Sequence, residues 1–228
     1  TGGAFTLPWE KAKCPNEELR LKIQALHSTG RITQQEAASM MPVQALDVQP
    51  NHRVLDLCAA PGSKATQIAE SLNGLGLVVA NEPNPGRANH LVSNTQRSGH
   101  LNMVIVREDG RNFPRVAQPG FDRILVDAPC TGSGTTRKNT DVWKKWKPLH
   151  GEHMSRLQAG ILSRGALLLR PGGRMVYSTC SIDPQENEQV VEMVLERFPW
   201  LSLTEVNREE MFPGLKTRQG MTELTEPC

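Results

Sequence analysis

Two cysteines each follow an apolar run of the kind that forms a strand: Cys130 in Asp127-Ala128-Pro129-Cys130 and Cys180 in Ser178-Thr179-Cys180-Ser181. Upstream, Asp56-Leu57-Cys58-Ala59-Ala60-Pro61-Gly62-Ser63-Lys64 opens a helical segment. A thiolate attacking carbon 6 of a pyrimidine pushes an electron pair onto carbon 5, an otherwise unreactive position, and so makes that carbon a nucleophile. The pattern therefore points to methyl transfer onto cytosine. Charge that develops on the ring during attack needs a partner at nitrogen N3, and a carboxyl such as Asp127 is the expected one. An ordinary cysteine has a pKa of about 8.5, so a thiol beside Lys64 or a helix amino terminus would hold more of its thiolate form.

Two thiols suggest a division of labour in which one forms the covalent bond and the other assists its release. The residues alone leave open which is which. Cysteine is also among the most buried residue types, so packing is the competing reading for each of the five. Cys14, Cys58 and Cys228 are assigned to packing or surface. Cys130 and Cys180 are expected to open into one cleft, because the strands before them are expected to be neighbours.

The Asp56 to Lys64 stretch reads as strand, tight turn and helix, with its crevice at the strand's carboxyl end. Gly62 is expected to let backbone approach a ligand, and the first amides of the helix suit a carboxylate. A dinucleotide fingerprint would need three glycines where this turn has one, so S-adenosylmethionine fits better than NAD. Glu82, 26 residues after Asp56, stands where an acid accepts hydrogen bonds from ribose hydroxyls, and Asp109 could contact the adenine amino group. Either acid alone would more often be a solvated strand end; acids after four successive strands favour one ligand lying across them.

The elements that would position these groups are legible as alternation. Strands are expected over 53–57, 76–80, 102–106, 122–127, 174–179 and 201–206, mostly as continuous apolar runs separated by helical segments. That layout predicts an α/β class with a doubly wound, mostly parallel, Rossmann-like sheet. Helices are expected over 84–99, ending on Gly99; over 150–170, stopped by Pro171-Gly172-Gly173; and after Asp183-Pro184 with Glu186, whose buried stripe is Val190, Val191, Val194, Leu195 and Phe198. Before the sheet, 17–28 carries Leu19, Ile23 and Leu26 on one stripe. Thr33 and Glu36 have capping-box spacing for a short helix that Pro42 would stop. The expected organisation is a helical extension over 1–50, a methyltransferase domain over 51–206 and an irregular tail over 207–228.

At 228 residues the chain can hold one large domain with a core of its own. It shows no apolar run of membrane-spanning length and no signal-peptide layout, which predicts an intracellular protein. Cysteines that are odd in number and far apart argue against a disulfide framework or zinc site. His150 and His153 lack further ligands in register, so no metal is expected. A net charge of +2 excludes bulk polycation binding. Locally, Arg137, Lys138, Lys144, Lys145 and Lys147 face the single acid Asp141, with Trp143 and Trp146 interleaved. This segment either holds phosphates and stacks a base or is a solvated loop over packed tryptophans.

These residues resemble the Nop/Sun (NSUN) RNA cytosine-5 methyltransferases over 7–206, in the Asp56 to Lys64, Asp127 to Cys130 and Thr179-Cys180-Ser181 motifs. Gly30-Arg31-Ile32-Thr33-Gln34-Gln35-Glu36-Ala37 with Ser39-Met40, and Arg137-Lys138-Asn139 with Asp141-Val142-Trp143-Lys144-Lys145-Trp146, look most like the eukaryotic tRNA branch. The resemblance implies a class I methyltransferase fold, RNA and specifically tRNA as partner, and a nuclear or nucleolar location. It also implies Cys180 as nucleophile and Cys130 as the release-assisting thiol, with Asp127 and Lys64 beside them. The implied cofactor site is formed by Cys58, Ala59, Ala60, Pro61, Gly62, Ser63 and Lys64, with Glu82, Asp109 and Asp127. By the same likeness a last antiparallel strand is missing here, and weak activity of the isolated chain is expected. Methylation of an exocyclic amine is the rival chemistry, disfavoured because Cys130 follows Pro129 and the only tyrosine, Tyr177, lies elsewhere. A catalytically silent RNA-binding or assembly factor is the rival from another class. Nothing in the sequence fixes an oligomeric state.

Overall fold

The computed structural model describes residues 5–9, 13–116, 118–147, 149–207, 211, 213–214, 216–218 and 220–221. Five strands form one parallel sheet: β1 (Arg53–Asp56), β2 (Leu77–Asn81), β3 (Met103–Val106), β4 (Phe121–Asp127) and β5 (Leu169–Ser178). Their order is β3-β2-β1-β4-β5, with the chain reversing direction across the sheet between β1 and β4. All the expected strands are present except the sixth: 201–206 forms no strand and makes no ladder. That run is mostly exposed, Leu203 strongly so, and it pairs with neither edge strand, β3 nor β5.

Helices α1 (Glu17–Ser28), α2 (Ala37–Leu46), α3 (Ser63–Ser71), α4 (Pro85–Ser98), α5 (Asp141–Lys145), α6 (His150–Leu168) and α7 (Glu188–Arg197) complete the fold. Alternating strand residues divide them between two faces. Leu55, Ile124 and Val126 face α6 and α7, where Ile161, Leu162, Ala166, Val190, Val194 and Phe198 close one core. Val54, Val78 and Leu125 face the other way, against Ile68, Ala69 and Leu72 of α3. Ala80 and Leu91 bring α4 onto that second face. Gly165 lets α6 sit close to the sheet, since a Cβ there would come within 2.8 Å of Met175 Sδ.

Local chemistry sets the helix ends. Asn84 caps α4 by accepting the Arg87 amide at 3.0 Å, Pro85 follows it, and Gly99 ends the helix at φ 71°. Two expected ends differ. The 33–36 capping box does not form: α2 starts after Glu36 and runs through Pro42 to Leu46. Burial of Val43 and Leu46 in the second core outweighs the one helical hydrogen bond that proline removes. At 183–186 the chain makes a short 3-10 turn, Pro184–Glu186, and α7 opens only at Glu188. Asp183 does cap that turn, accepting the Gln185 amide at 3.0 Å, while Glu186 turns its side chain inward.

The helical segment before the sheet is of two kinds. Helix α2 shares the sheet's core, whereas α1 has no buried residue and keeps Leu19 and Leu26 exposed. No described helix is long and apolar enough to cross a membrane. Cys228 and most of the tail expected to be irregular lie outside the described residues.

Candidate active site

Strand β4 ends at Asp127 and β5 at Ser178, paired directly in register. Parallel neighbours project their following loops from one edge of the sheet, which brings residues fifty positions apart together. Cys130 Sγ and Cys180 Sγ lie 3.2 Å apart, both as free thiols. Cys180 is exposed and Cys130 half-buried, so the pair opens to solvent rather than being sealed in packing. The Cys130 hydrogen bond is the main influence that brings the Cys180 thiol down to about 7; burial and the Asp127 charge oppose it, and Lys64 assists. The Cys130 thiol is pushed up by the same shared proton and by burial.

Asp127 sits beside the pair and is held from two sides. Lys64 Nζ, from the first turn of α3, lies 2.7 Å from Asp127 Oδ2, and Ser178 Oγ donates to Oδ1 at 2.7 Å. That ion pair physically joins the Asp56 to Lys64 turn to the thiol loops. Asp127 remains partly accessible.

The turn after β1 is built by side chains from elsewhere. Asn81, fully buried at the end of β2, donates to the carbonyls of Leu57 and Glu108 and accepts the Glu108 amide, fastening the ends of three strands. The Ala59 amide donates to the Asn81 carbonyl; Arg87 and Asn94 of α4 donate to the carbonyls of Ala60 and Pro61. Gly62 has φ 112°, and a Cβ there would meet Leu91 Cδ1 at 3.0 Å. Its observed role is therefore a left-handed turn packed against α4, where the sequence suggested close approach of a ligand. Ser63 and Lys64 begin α3, whose first amides lack intrahelical acceptors. Cys58 is half-buried and its thiol is pushed up by burial and by the surrounding carboxylates, an inert packing cysteine.

Carboxylates ring this turn. Glu82 is buried, accepts the Asn84 amide at 2.9 Å and lies 3.3 Å from Arg87. Asp109 is half-buried and gripped by Arg111, whose hydrogen bonds hold its carboxyl below the usual range. Asp56 is fully buried; Oδ1 accepts the Cys58 amide at 3.2 Å while Oδ2 has no partner. Burial, then the Asp127 charge, raises Asp56 to about 7.

The basic segment after Cys130 forms α5. Trp143 and Trp146 are 73% and 51% exposed, and only Val142 is buried, which removes the reading in which both tryptophans are packed underneath. Thr131, Asn139, Val142, Lys145, Trp146 and His150 line a cavity of about 160 Å³ next to the Cys130 loop. Lys138 is ion-paired with Glu36. No group of histidines, cysteines and acids suited to a metal ion occurs among the described residues.

Sequence reasoning missed the pieces that hold the site. The sequence marked Glu186 only as a helix-start acid and gave Gln158 and Asn81 no role. All three are fully buried polar side chains.

Comparison with known proteins places this architecture. The "Multisite-specific tRNA:(cytosine-C(5))-methyltransferase" of Saccharomyces cerevisiae is 42% identical over 212 residues, covering 86% of this chain and 31% of the yeast protein. The "Ribosomal RNA small subunit methyltransferase F" of Serratia proteamaculans is 41% identical, covering 88% and 42%. The crystal structure of NSun6 from Pyrococcus horikoshii, solved with the S-adenosylmethionine analogue SFG, superposes with a TM-score of 0.69 at 31% identity, covering 75% of this chain and 44% of that one. The chain thus spans less than half the length of each of these relatives. The profile of the 16S rRNA methyltransferase RsmB/F family matches residues 43–225, from the buried half of α2 through both thiol loops, and the chain belongs to that family.

Proposed function

We propose that the chain is the catalytic part of an S-adenosylmethionine-dependent methyltransferase acting on carbon 5 of cytosine in RNA, with tRNA as the substrate class. The observation that carries this reading is the pair of free thiols 3.2 Å apart at the ends of adjacent parallel strands, beside the Lys64–Asp127 ion pair. The sequence likeness to tRNA and rRNA methyltransferases supports the substrate class.

The residues of the β1 turn suit the cofactor. S-adenosylmethionine offers donors at its ammonium, ribose and adenine amino groups and an acceptor at its carboxylate. Against these the site sets the carboxylates Asp56, Glu82 and Asp109 and the first-turn amides of α3, and Asp56 Oδ2 is a buried acceptor still lacking a donor. When bound, the cofactor supplies an electrophilic methyl group. Asp127 borders both sites and completes the cofactor set through Lys64.

In this reading the Cys180 thiolate forms a bond to carbon 6 of the ring, and the displaced π pair moves to carbon 5, making it nucleophilic. Asp127, positioned by Lys64 and Ser178, accepts from the N–H that forms when the ring nitrogen, where charge accumulates, takes a proton from solvent. Cys130 is the acid–base group next to the adduct: having given its own proton to solvent, it takes the carbon 5 proton, the carbon–hydrogen pair forms the carbon 5–carbon 6 double bond, and the pair in the carbon 6–sulfur bond returns to Cys180. The cytosine reaches these groups only out of its stack, at a cost of about a few kcal/mol, and the exposed tryptophans of α5 offer stacking faces beside the site. Nuclear residence belongs to the same reading and rests on the resemblance; imaging of the tagged protein tests it.

The experiment is covalent trapping on RNA containing 5-fluorocytosine with S-adenosylmethionine. Wild type should give a denaturant-resistant protein–RNA adduct, Cys180→Ala none, and Cys130→Ala an adduct that accumulates even on ordinary cytosine. Loss of the adduct in Cys130→Ala with retention in Cys180→Ala would invert the two roles. RNA binding with no adduct from wild type would favour the silent RNA-binding factor.

A further inference from the structure

Glu186 is completely buried, yet four donors converge on its carboxylate. Ser181 Oγ donates to Oε1 at 2.6 Å and Thr131 Oγ1 donates to the same oxygen. The Thr131 amide and Gln158 Nε2 each donate to Oε2 at 2.9 Å. Both carboxyl oxygens are thus occupied by groups of the two thiol loops and of α6. Thr131 and Ser181 are the residues immediately after Cys130 and Cys180. Gln158 extends the same clamp to the other side of Cys130, donating also to the Pro129 carbonyl at 2.9 Å. The backbone of Glu186 is itself anchored, its carbonyl accepting from Tyr177 Oη at 2.6 Å at the end of β5. Ser181 is further tied to Ser133 at 3.0 Å, and the Gly134 amide donates to the Cys180 carbonyl at 2.9 Å.

We propose that Glu186 is the positioning residue of the thiol pair: its buried carboxylate bolts the Cys130 loop to the Cys180 loop and so keeps the two sulfurs within proton-sharing distance. The inference deepens the cytosine-methyltransferase reading and rests on it for its biological meaning, but the physical claim concerns only the two sulfurs. Two loops from strand ends have no covalent reason to hold a 3.2 Å sulfur contact. A single carboxyl accepting from the residue next to each cysteine fixes both at once. Glu186→Gln keeps the size of the side chain but replaces one acceptor oxygen by an N–H donor, which confronts the donors already there and releases at least one loop.

The test reads the thiols without RNA or cofactor. The 228-residue chain is alkylated with iodoacetamide across the thiol titration range, and Cys180 and Cys130 are quantified separately by mass spectrometry. In wild type, Cys180 should titrate near 7 and label about tenfold faster than Cys130 at neutral pH. In Glu186→Gln the Cys180 inflection should rise by about one pH unit or more, toward the ordinary thiol value, and the preference over Cys130 should fall to about threefold or less. Ser181→Ala and Thr131→Val, which each remove one hydroxyl donor, should shift the inflection in the same direction by less. A Glu186→Gln chain with wild-type circular dichroism and unfolding midpoint but an unaltered profile would overturn the proposal. If that variant fails to fold, unaltered profiles in both single-donor variants would overturn it. Shifts as expected in a chain that never traps cytosine would leave the clamp standing and sink the methyltransferase reading; trapping with no shift would do the reverse.

Discussion

Asp56 makes the cost of burying a half-partnered carboxyl measurable. Its side chain is fully buried, one oxygen is unpartnered, and its pKa is raised from 3.8 to about 7. A carboxyl whose folded value lies above its unfolded one stabilises the fold most below the unfolded pKa. That stability is lost as pH rises toward the folded value. At about 1.36 kcal/mol per pH unit, the window from pH 5 to 7 alone costs the native state about 2 to 3 kcal/mol. Asp56→Asn cannot ionise, keeps an oxygen for the Cys58 amide, and removes the cost. The assay is urea unfolding of both chains without cofactor at pH 5 and pH 8. The stability difference between variant and wild type should grow in the variant's favour by about 2 to 3 kcal/mol between the two pH values; this double difference cancels the other titrating groups. Equal pH dependence in the two chains would refute the argument, because it would mean that Asp56 ionises in the native state as freely as in the unfolded one.

Leu46→Ala should destabilise the chain by about 2 to 5 kcal/mol, seen as a thermal midpoint lowered by about 2 to 4 °C per kcal/mol, because α2 is part of the sheet's second core. Gly62→Ala should cost about 1 to 3 kcal/mol in the same measurement, from its positive φ and the 3.0 Å approach to Leu91. Trp143→Ala and Trp146→Ala, both at exposed positions, should leave the midpoint nearly unchanged; where a base stacks on the ring, each should weaken binding of single-stranded RNA by about 1 to 3 kcal/mol in a filter or anisotropy titration.

The strands through β4, the capped α4 and the buried stripe of α7 could be read from order and spacing, because hydrophobic periodicity and capping residues act within a few positions of the chain. Local rules misjudged 201–206 and Pro42 for one reason: each outcome depends on what lies alongside. An alternating run becomes a strand only if a sheet edge receives it, and a proline is tolerated inside a helix when Val43 and Leu46 gain a core. The sequence likewise marked Cys130, Cys180, Asp127 and Lys64 as chemistry-bearing, but their mutual geometry was not in it. Their 3.2 Å and 2.7 Å contacts exist because β4 and β5 pair in register and α3 starts beside them.

Residue types and spacing by themselves determined the class of fold, the turn after β1 and the two candidate nucleophiles, since these follow from short-range preference and from which side chains can do the chemistry. Tertiary structure alone decided how close the two thiols lie and which side chains reach from one thiol loop to the other. The Cys130–Cys180 contact and the bond from the Thr131 amide to Glu186 join groups 50 and 55 residues apart, and no local pattern encodes that separation.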